Sequence, residues 1–211
     1  MSDISTPATP LQRAPEDNEL LPTDYFRRFE RAEIFPDSAP LEVDLGSGDG
    51  SFLLAMAQRF PERRFLGVER LLGRVRKLCR GSHRDGLTNL KVLRLESIYT
   101  VEWLLPPQSI SRIHLLFPDP WPKARHHKRR VVQAPFLNAV TNALVPGGEL
   151  LFRTDHEEYA EWALEQLQGF DKLELVDWLP ADEFYAETDF QRQWAAAGRH
   201  KVHSLRAVTA S

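Results

Sequence analysis

Between residues 41 and 168, short apolar runs alternate with stretches whose apolar positions recur every three or four residues. LEVDL (41–45), RFLGVE (64–69), LKVLRLE (90–96), SRIHLLF (111–117) and ELLFRTD (149–155) have strand length. Between them, SFLLAMAQRF (51–60) places Phe52, Leu53, Met56 and Phe60 on one side of a helix. Residues 70–81 gather Leu71, Leu72, Val75, Leu78 and Cys79 on one helical face and Arg70, Arg74 and Lys77 on the other. A helix over 130–145 is entered early by Pro135 and stopped by Pro146-Gly147-Gly148, and 157–168 reads as a further helix. Strands that return after helices predict βαβ units. After residue 170 the rhythm changes: 172–179 and 202–208 read as strands around a polar stretch, 180–201, which predicts a hairpin-like ending with an antiparallel strand. The expected fold is α/β and Rossmann-like, a mostly parallel seven-stranded sheet with an antiparallel strand near the C-terminus. Residues 1–22 hold four prolines and no periodicity, so a flexible tail is expected there, ahead of a single domain over 23–211.

Composition narrows the setting. An apolar content of 42% is ample for a packed core. A lone cysteine, Cys79, rules out an intrachain disulfide and fits a reducing compartment. No apolar run approaches a membrane span and no basic-then-apolar leader opens the chain, so a cytoplasmic protein without membrane contact is expected. No Cys/His spacing suggests zinc, and His126 and His127 stand among cations, so no metal is expected. The net charge of −3 hides two basic blocks: Arg70, Arg74, Arg76, Lys77, Arg80 and Arg84 in one, residues 123–130 in the other. Such blocks are either solvated surface or a face for a polyanion. Monomer and homodimer both remain open.

The first strand–helix junction carries the first chemical signal. LEVDLGSGDG sets Gly46, Gly48 and Gly50 between strand and helix, where open α/β sheets bind ligands. The G-x-G-x-G spacing is not the dinucleotide G-x-G-x-x-G. Asp44 precedes the loop, Glu69 ends the second strand and Glu96 ends the third. Three acids at strand ends repel a pyrophosphate. They suit a ligand with ammonium and hydroxyl donors and few negative charges, as S-adenosylmethionine has, and so a class I methyltransferase. Taken singly, each acid is as readily a cap or a solvated turn.

The most distinctive segment is LLFPDPWPKARHHKRR (115–130). Prolines 118, 120 and 122 fix their own φ and restrict their predecessors, so 118–122 is expected to be extended, with Asp119 emerging beside the glycine loop. Whether Asp119, Trp121 and Lys123 then share a side depends on a strand-like or polyproline-like course, which the sequence leaves open. Trp121 is equally a core residue or a wall for a base.

This segment, followed by VVQAPFLNAVTNALVPGGELLFRTDHEEYAEWAL, resembles the tRNA (guanine-N7)-methyltransferase family, whose members modify the variable-loop guanine at tRNA position 46. With the glycine loop, the resemblance covers roughly residues 24–208. It implies S-adenosyl-L-methionine as methyl donor and tRNA as partner. It implies that Asp44, Gly46, Gly48, Glu69, Glu96 and Asp119 lie on the cofactor side, with Asp119 also the active-site acid. Lys123 and Asp155 are implied as tRNA or guanine contacts. The family's T-x-[FY]-E segment corresponds to Thr188, Asp189, Phe190 and Gln191, where Gln191 stands in place of the usual glutamate. Two alternatives accompany this reading: an RNA-binding protein with a vestigial cofactor pocket, and a methyltransferase for a small molecule.

Overall fold

The computed structural model describes residues 18–180, 182–198 and 201–210. In chain order they form β1 (Glu19–Leu20), α1 (Arg31–Ile34), β2 (Leu41–Leu45), α2 (Ser51–Arg59), β3 (Arg64–Val68), α3 (Leu72–Arg84) and β4 (Leu90–Leu93). A short α4 (Ser97–Tyr99) runs into a π-helical turn (Thr100–Leu104) and leads to β5 (Ile110–Leu116). A 3-10 turn (Ala124–Arg129), α5 (Ala134–Ala143), β6 (Leu144–Thr154), α6 (Glu157–Gln168), β7 (Leu173–Val176), α7 (Asp189–Ala196) and β8 (His203–Thr209) complete it.

The strands make one sheet in the order β1-β4-β3-β2-β5-β6-β8-β7. All neighbours are parallel except β6–β8 and β7–β8, so the expected antiparallel strand is β8, inserted between β6 and β7. All seven expected strands form, and the eighth is β1. Most of the tail expected over 1–22 lies outside the described residues, but its end is not a tail: Glu19 and Leu20 pair in parallel with Val92 and Leu93, and the Asn18 amide donates to the Ser82 hydroxyl at 2.5 Å. The expected 130–145 helix starts only at Ala134, because Pro135 suits the first turn and restricts what precedes it. Pro146-Gly147-Gly148 do more than stop that helix. They lie inside β6, where the pairing with β5 slips between Leu144 and Glu149. The polar stretch 180–201 contains α7, which the sequence reading did not anticipate.

Alternation along the central strands gives the sheet two unlike faces. Leu41, Val43 and Leu45 of β2 face a large apolar core with Ile113 and Leu115 of β5 and with Phe136, Val140, Tyr159 and Ala163 of α5 and α6. On the opposite face, Phe52, Leu53 and Met56 of α2 pack with Val75 and Leu78 of α3 over Phe65 and Val92. The alternate positions of β2 and β5, however, are Glu42, Asp44, Arg112 and His114, all buried. LEVDL is therefore an alternating strand with two buried acids.

Candidate active site

β2 is the switch point of the sheet: β3 and β4 lie on one side, β5 and β6 on the other. Open α/β sheets place ligands at that crevice. Here it holds a cleft of about 340 Å³ lined by Asp44, Gly46, Gly48, Phe52 and Phe117, and across it by Thr188, Asp189 and Phe190 of the α7 end. The volume is within the usual range for small-ligand sites.

The floor follows from the glycines. Gly46, Gly48 and Gly50 have φ of 82°, 57° and 84°, which side chains with a Cβ seldom adopt. This lets the Gly46 and Ser47 amides both donate to the Val68 carbonyl, folding the loop back over β3. The loop is held from below by Glu69, whose carboxylate accepts from the Gly48 amide at 3.1 Å and the Leu71 amide at 2.8 Å. A carboxylate offers about four acceptor positions, so roughly two remain for hydroxyl donors.

Asp44 is 3% exposed, and no cationic side chain pairs with it among the described residues. Burial pushes its carboxyl up to about 7; a hydrogen bond from Ser47 opposes the shift and the charge of Glu69 adds to it. An acid raised by burial beside a cleft is a candidate functional group.

The opposite wall is built by α7. Thr188 caps it, its hydroxyl accepting from the Gln191 amide, while the Gln191 side-chain oxygen accepts from the Thr188 amide, each at 3.1 Å. Gln191 is thus committed to the capping box and lies outside the cleft lining. Gln193 lines the cleft instead, donating to Asp189 at 2.6 Å, and Asp189 is moored to α2 through its amide and the Ser51 hydroxyl at 3.1 Å. Phe117, Phe190 and Trp194 form a row of tilted rings with successive centroids 5.0 Å apart.

The Pro118–Pro122 segment is less straight than its prolines suggest. Phe117 and Trp121 both have positive φ, 52° and 44°, so the extended course ends at Trp121. Asp119 is exposed between these two bends and lies outside the cleft lining. Trp121 is neither core nor fully exposed: it is partly buried, edge-on to His126, with the Arg129 guanidinium 4.8 Å from its ring centre. The basic run divides. Lys123, Arg125, Lys128 and Arg129 are exposed, whereas Arg130 is 2% exposed. Arg130 donates to the Pro120 carbonyl at 2.9 Å and to Glu158 at 3.1 Å, with its guanidinium over Tyr159 and Trp162. It is a strut for the proline segment, a role invisible within a run of like charges. Asp155 leaves β6 beside this segment, since the Phe117 amide donates to the Arg153 carbonyl.

Glu96 stands apart from the main cleft. Its carboxylate caps α4 by accepting from the Tyr99 amide at 2.8 Å. It also lines a second hollow of about 430 Å³ with Tyr25, Arg70 and Arg94, at the end of β4. Arg74, on the basic face of α3, lines the main cleft and lies 3.7 Å from Glu69, and Lys77 pairs with Asp49 of the loop at 3.0 Å. Among the described residues no group of three or more His, Cys, Asp and Glu could hold a metal, and no helix is long and apolar enough to cross a membrane.

The same frame occurs in known proteins. The chain superposes on the 16S rRNA methyltransferase KamB with a TM-score of 0.64 at 20% identity, over 88% of this chain and 96% of that one. With the antibiotic-resistance methyltransferase Kmr the TM-score is 0.60 at 22% identity, over 87% and 94%. At such identities the likeness is one of fold. In sequence, a model of a family described as putative methyltransferase matches residues 38–204, from before the glycine loop to beyond α7. The tRNA (guanine-N(7)-)-methyltransferase of Halorhodospira halophila is 39% identical over 82% of this chain and 76% of its own length. Those of Salmonella choleraesuis and Nitrosospira multiformis are 38% and 36% identical over 82% and 81% of this chain. Both walls of the cleft fall within the residues that the family model matches, and by the similarity to these relatives the chain belongs to the tRNA (guanine-N(7)-)-methyltransferase family.

Proposed function

We propose that the protein transfers a methyl group from S-adenosyl-L-methionine to N7 of a guanine in tRNA, at position 46 of the variable loop, in the cytoplasm. One observation carries the assignment of the cleft: Asp44, a buried carboxylate at the switch point without a cationic partner among the described residues. The donor supplies an electrophilic methyl on a sulfonium and brings an ammonium group that fits this acid. Glu69, with two amides already on its carboxylate, suits ribose hydroxyls through its remaining acceptor positions. Gly46 and Gly48 keep side chains away from the ligand's path. The carboxylate of Glu96 serves the outer, purine end.

N7 of guanine is a bare acceptor and carries no proton, so its methylation needs orientation and charge stabilisation rather than a general base. A carboxylate can accept from guanine N1–H and N2–H₂ but not from O6 or N7. Asp119, held between two strained residues and braced by Arg130 through Pro120, is assigned to that donor edge. Phe117 and Phe190 offer ring faces for the base, and Asp155, Thr188 and Asp189 complete its surroundings. Lys123, Arg125, Lys128 and Arg129 on one side, and the basic face of α3 on the other, are assigned to RNA phosphates. Gln191 acts through the helix cap that sets Thr188. Because its amide satisfies that cap, the departure from glutamate lends no support to a vestigial pocket.

Purified protein, labelled donor and bulk tRNA should yield N7-methylguanosine by nucleoside mass spectrometry. A folded protein that produces none would overturn the proposal. Asp119→Ala should lower turnover at least 100-fold while the fold and donor binding persist, the size expected for losing a positioned electrostatic group.

A further inference from the structure

Beneath the cleft floor lies a chain of three buried or partly buried polar side chains that the reaction itself does not require. The His114 ring is fully buried on β5, with Nε2 2.9 Å from a Glu42 carboxylate oxygen and Nδ1 2.9 Å from the Tyr185 hydroxyl. The other Glu42 oxygen accepts from Arg63 at 2.8 Å. Glu42 remains ionised: burial pushes it up, but the His114 hydrogen bond and charge, then Arg112 and Arg63, bring it to about 2. Burial lowers His114, against the pull of Glu42, which favours the neutral ring near pH 7, whereas the charge it lends Glu42 belongs to acid pH, where Glu42 titrates. An ionised carboxylate only accepts, so His114 carries its proton on Nε2 and leaves Nδ1 bare. Tyr185 must then donate. Burial raises its phenol well above the ordinary range, with Arg153 opposing, so that proton stays in place.

The chain has one direction, and it ends on the strap that carries the substrate-side wall. Residues 184–187 run from the polar sheet face to Thr188, and among the described residues no backbone hydrogen bond joins them to the sheet. Side chains hold them instead. Glu183 accepts from Arg112 at 3.1 Å, Ala186 is buried beneath the strap, and the Tyr185 ring packs against Phe52 and Trp178 with Arg153 across its face. Phe52 also touches the His114 ring edge-on, at 5.1 Å, and lines the cleft. The Tyr185–His114 hydrogen bond ties the strap to the β5 residue that pairs with Asp44 of β2.

We propose that His114 and Tyr185 are positioning residues for the guanine-side wall, the Glu42–His114–Tyr185 chain setting where the strap delivers Thr188 and Phe190 to the cleft. This rests on the methyl-transfer reading of the cleft.

Three variants test it: Tyr185→Phe, which leaves Nδ1 without a donor; His114→Leu, which removes the link; and His114→Gln, whose amide can donate to Glu42 and accept from Tyr185. Tyr185→Phe should raise KM for tRNA roughly tenfold, within the factor expected for one unsatisfied buried acceptor. Its kcat should stay within about threefold and its calorimetric Kd for the donor within about twofold. Amide hydrogen exchange at Asp189 and Gln191 should quicken roughly tenfold in Tyr185→Phe and in His114→Leu, whereas His114→Gln, with Tyr185 intact, should keep exchange and KM near the wild-type values. Unchanged exchange and KM in Tyr185→Phe would overturn the inference. So would a parallel loss of donor affinity and tRNA KM, which marks general unfolding. If His114→Leu does not fold, Tyr185→Phe decides alone. If the wild-type protein methylates no tRNA, the functional reading fails, and the exchange rates still decide whether the chain fixes the strap.

Discussion

Glu42 and Asp44 stand two positions apart on β2, point to the same sheet face, and are 2% and 3% exposed. Their carboxyls nevertheless move in opposite directions, Glu42 down to about 2 and Asp44 up to about 7. Burial opposes ionisation at both. The difference is that Glu42 carries its donors with it, from Arg63 and His114, whereas among the described residues Asp44 has a serine hydroxyl and a neighbouring acid but no cation. One acid is part of the protein's own structure. The other is the acid proposed to meet the ligand's cationic group.

The comparison can be broken at either acid. The largest effect is expected at Glu42. Glu42→Ala strands the partly buried Arg63 and the fully buried His114 imidazole, and should destabilise the protein by roughly 3 kcal/mol in denaturant titration at pH 7. A loss below about 1 kcal/mol would show that the network is dispensable. Asp44→Asn should cost about 100-fold in donor affinity by calorimetry, a few kcal/mol, yet stabilise the ligand-free protein at pH 8 by an amount on the order of 2 kcal/mol. Equal donor affinity in that variant would remove Asp44 from the site.

The two acids should also give stability slopes of opposite sign. Asp44 has a folded value above its unfolded one, so its contribution is whole below about pH 4 and is lost as pH rises toward about 7. Glu42 is depressed, so its contribution is whole above about pH 4.5 and is lost as pH falls toward about 2. Ligand-free stability should therefore peak in mild acid, and Asp44→Asn should flatten only the limb above it. Donor affinity should rise about eightfold from pH 6 to 7.5 as Asp44 ionises, and the rise should vanish in the variant. The smallest effect belongs to Gln191→Glu, since either side chain completes the capping box: stability should shift by less than about 0.5 kcal/mol and turnover by less than about twofold.

The contrast also shows what a sequence can disclose. The glycine loop was legible because its cause is local, three positions that need positive φ between a strand and a helix. The parallel core was legible from apolar spacing. Nothing local in LEVDL separates Glu42 from Asp44, because Arg63 and His114 reach Glu42 from other strands and loops. Arg130 looked like one more surface cation until Pro120, Tyr159 and Trp162 surrounded it. α7 was hidden because its apolar partner Phe117 lies far away in the chain. Gln191 looks like a defect in a binding motif, and the structure shows it bonded to its own helix start.

The two residues of β1 have a consequence beyond this site. β4 would otherwise present its outer amides and carbonyls along the margin of the sheet, an open template for a strand of another molecule. Glu19 and Leu20 occupy those groups, and the Val92 amide donates to the Asn18 carbonyl. A chain trimmed to begin at residue 23, where the apolar rhythm places the domain, would keep its glycine loop, Asp44 and α7. What such trimming removes is a guard against self-association, so the damage would be read in light scattering and shelf life rather than in turnover.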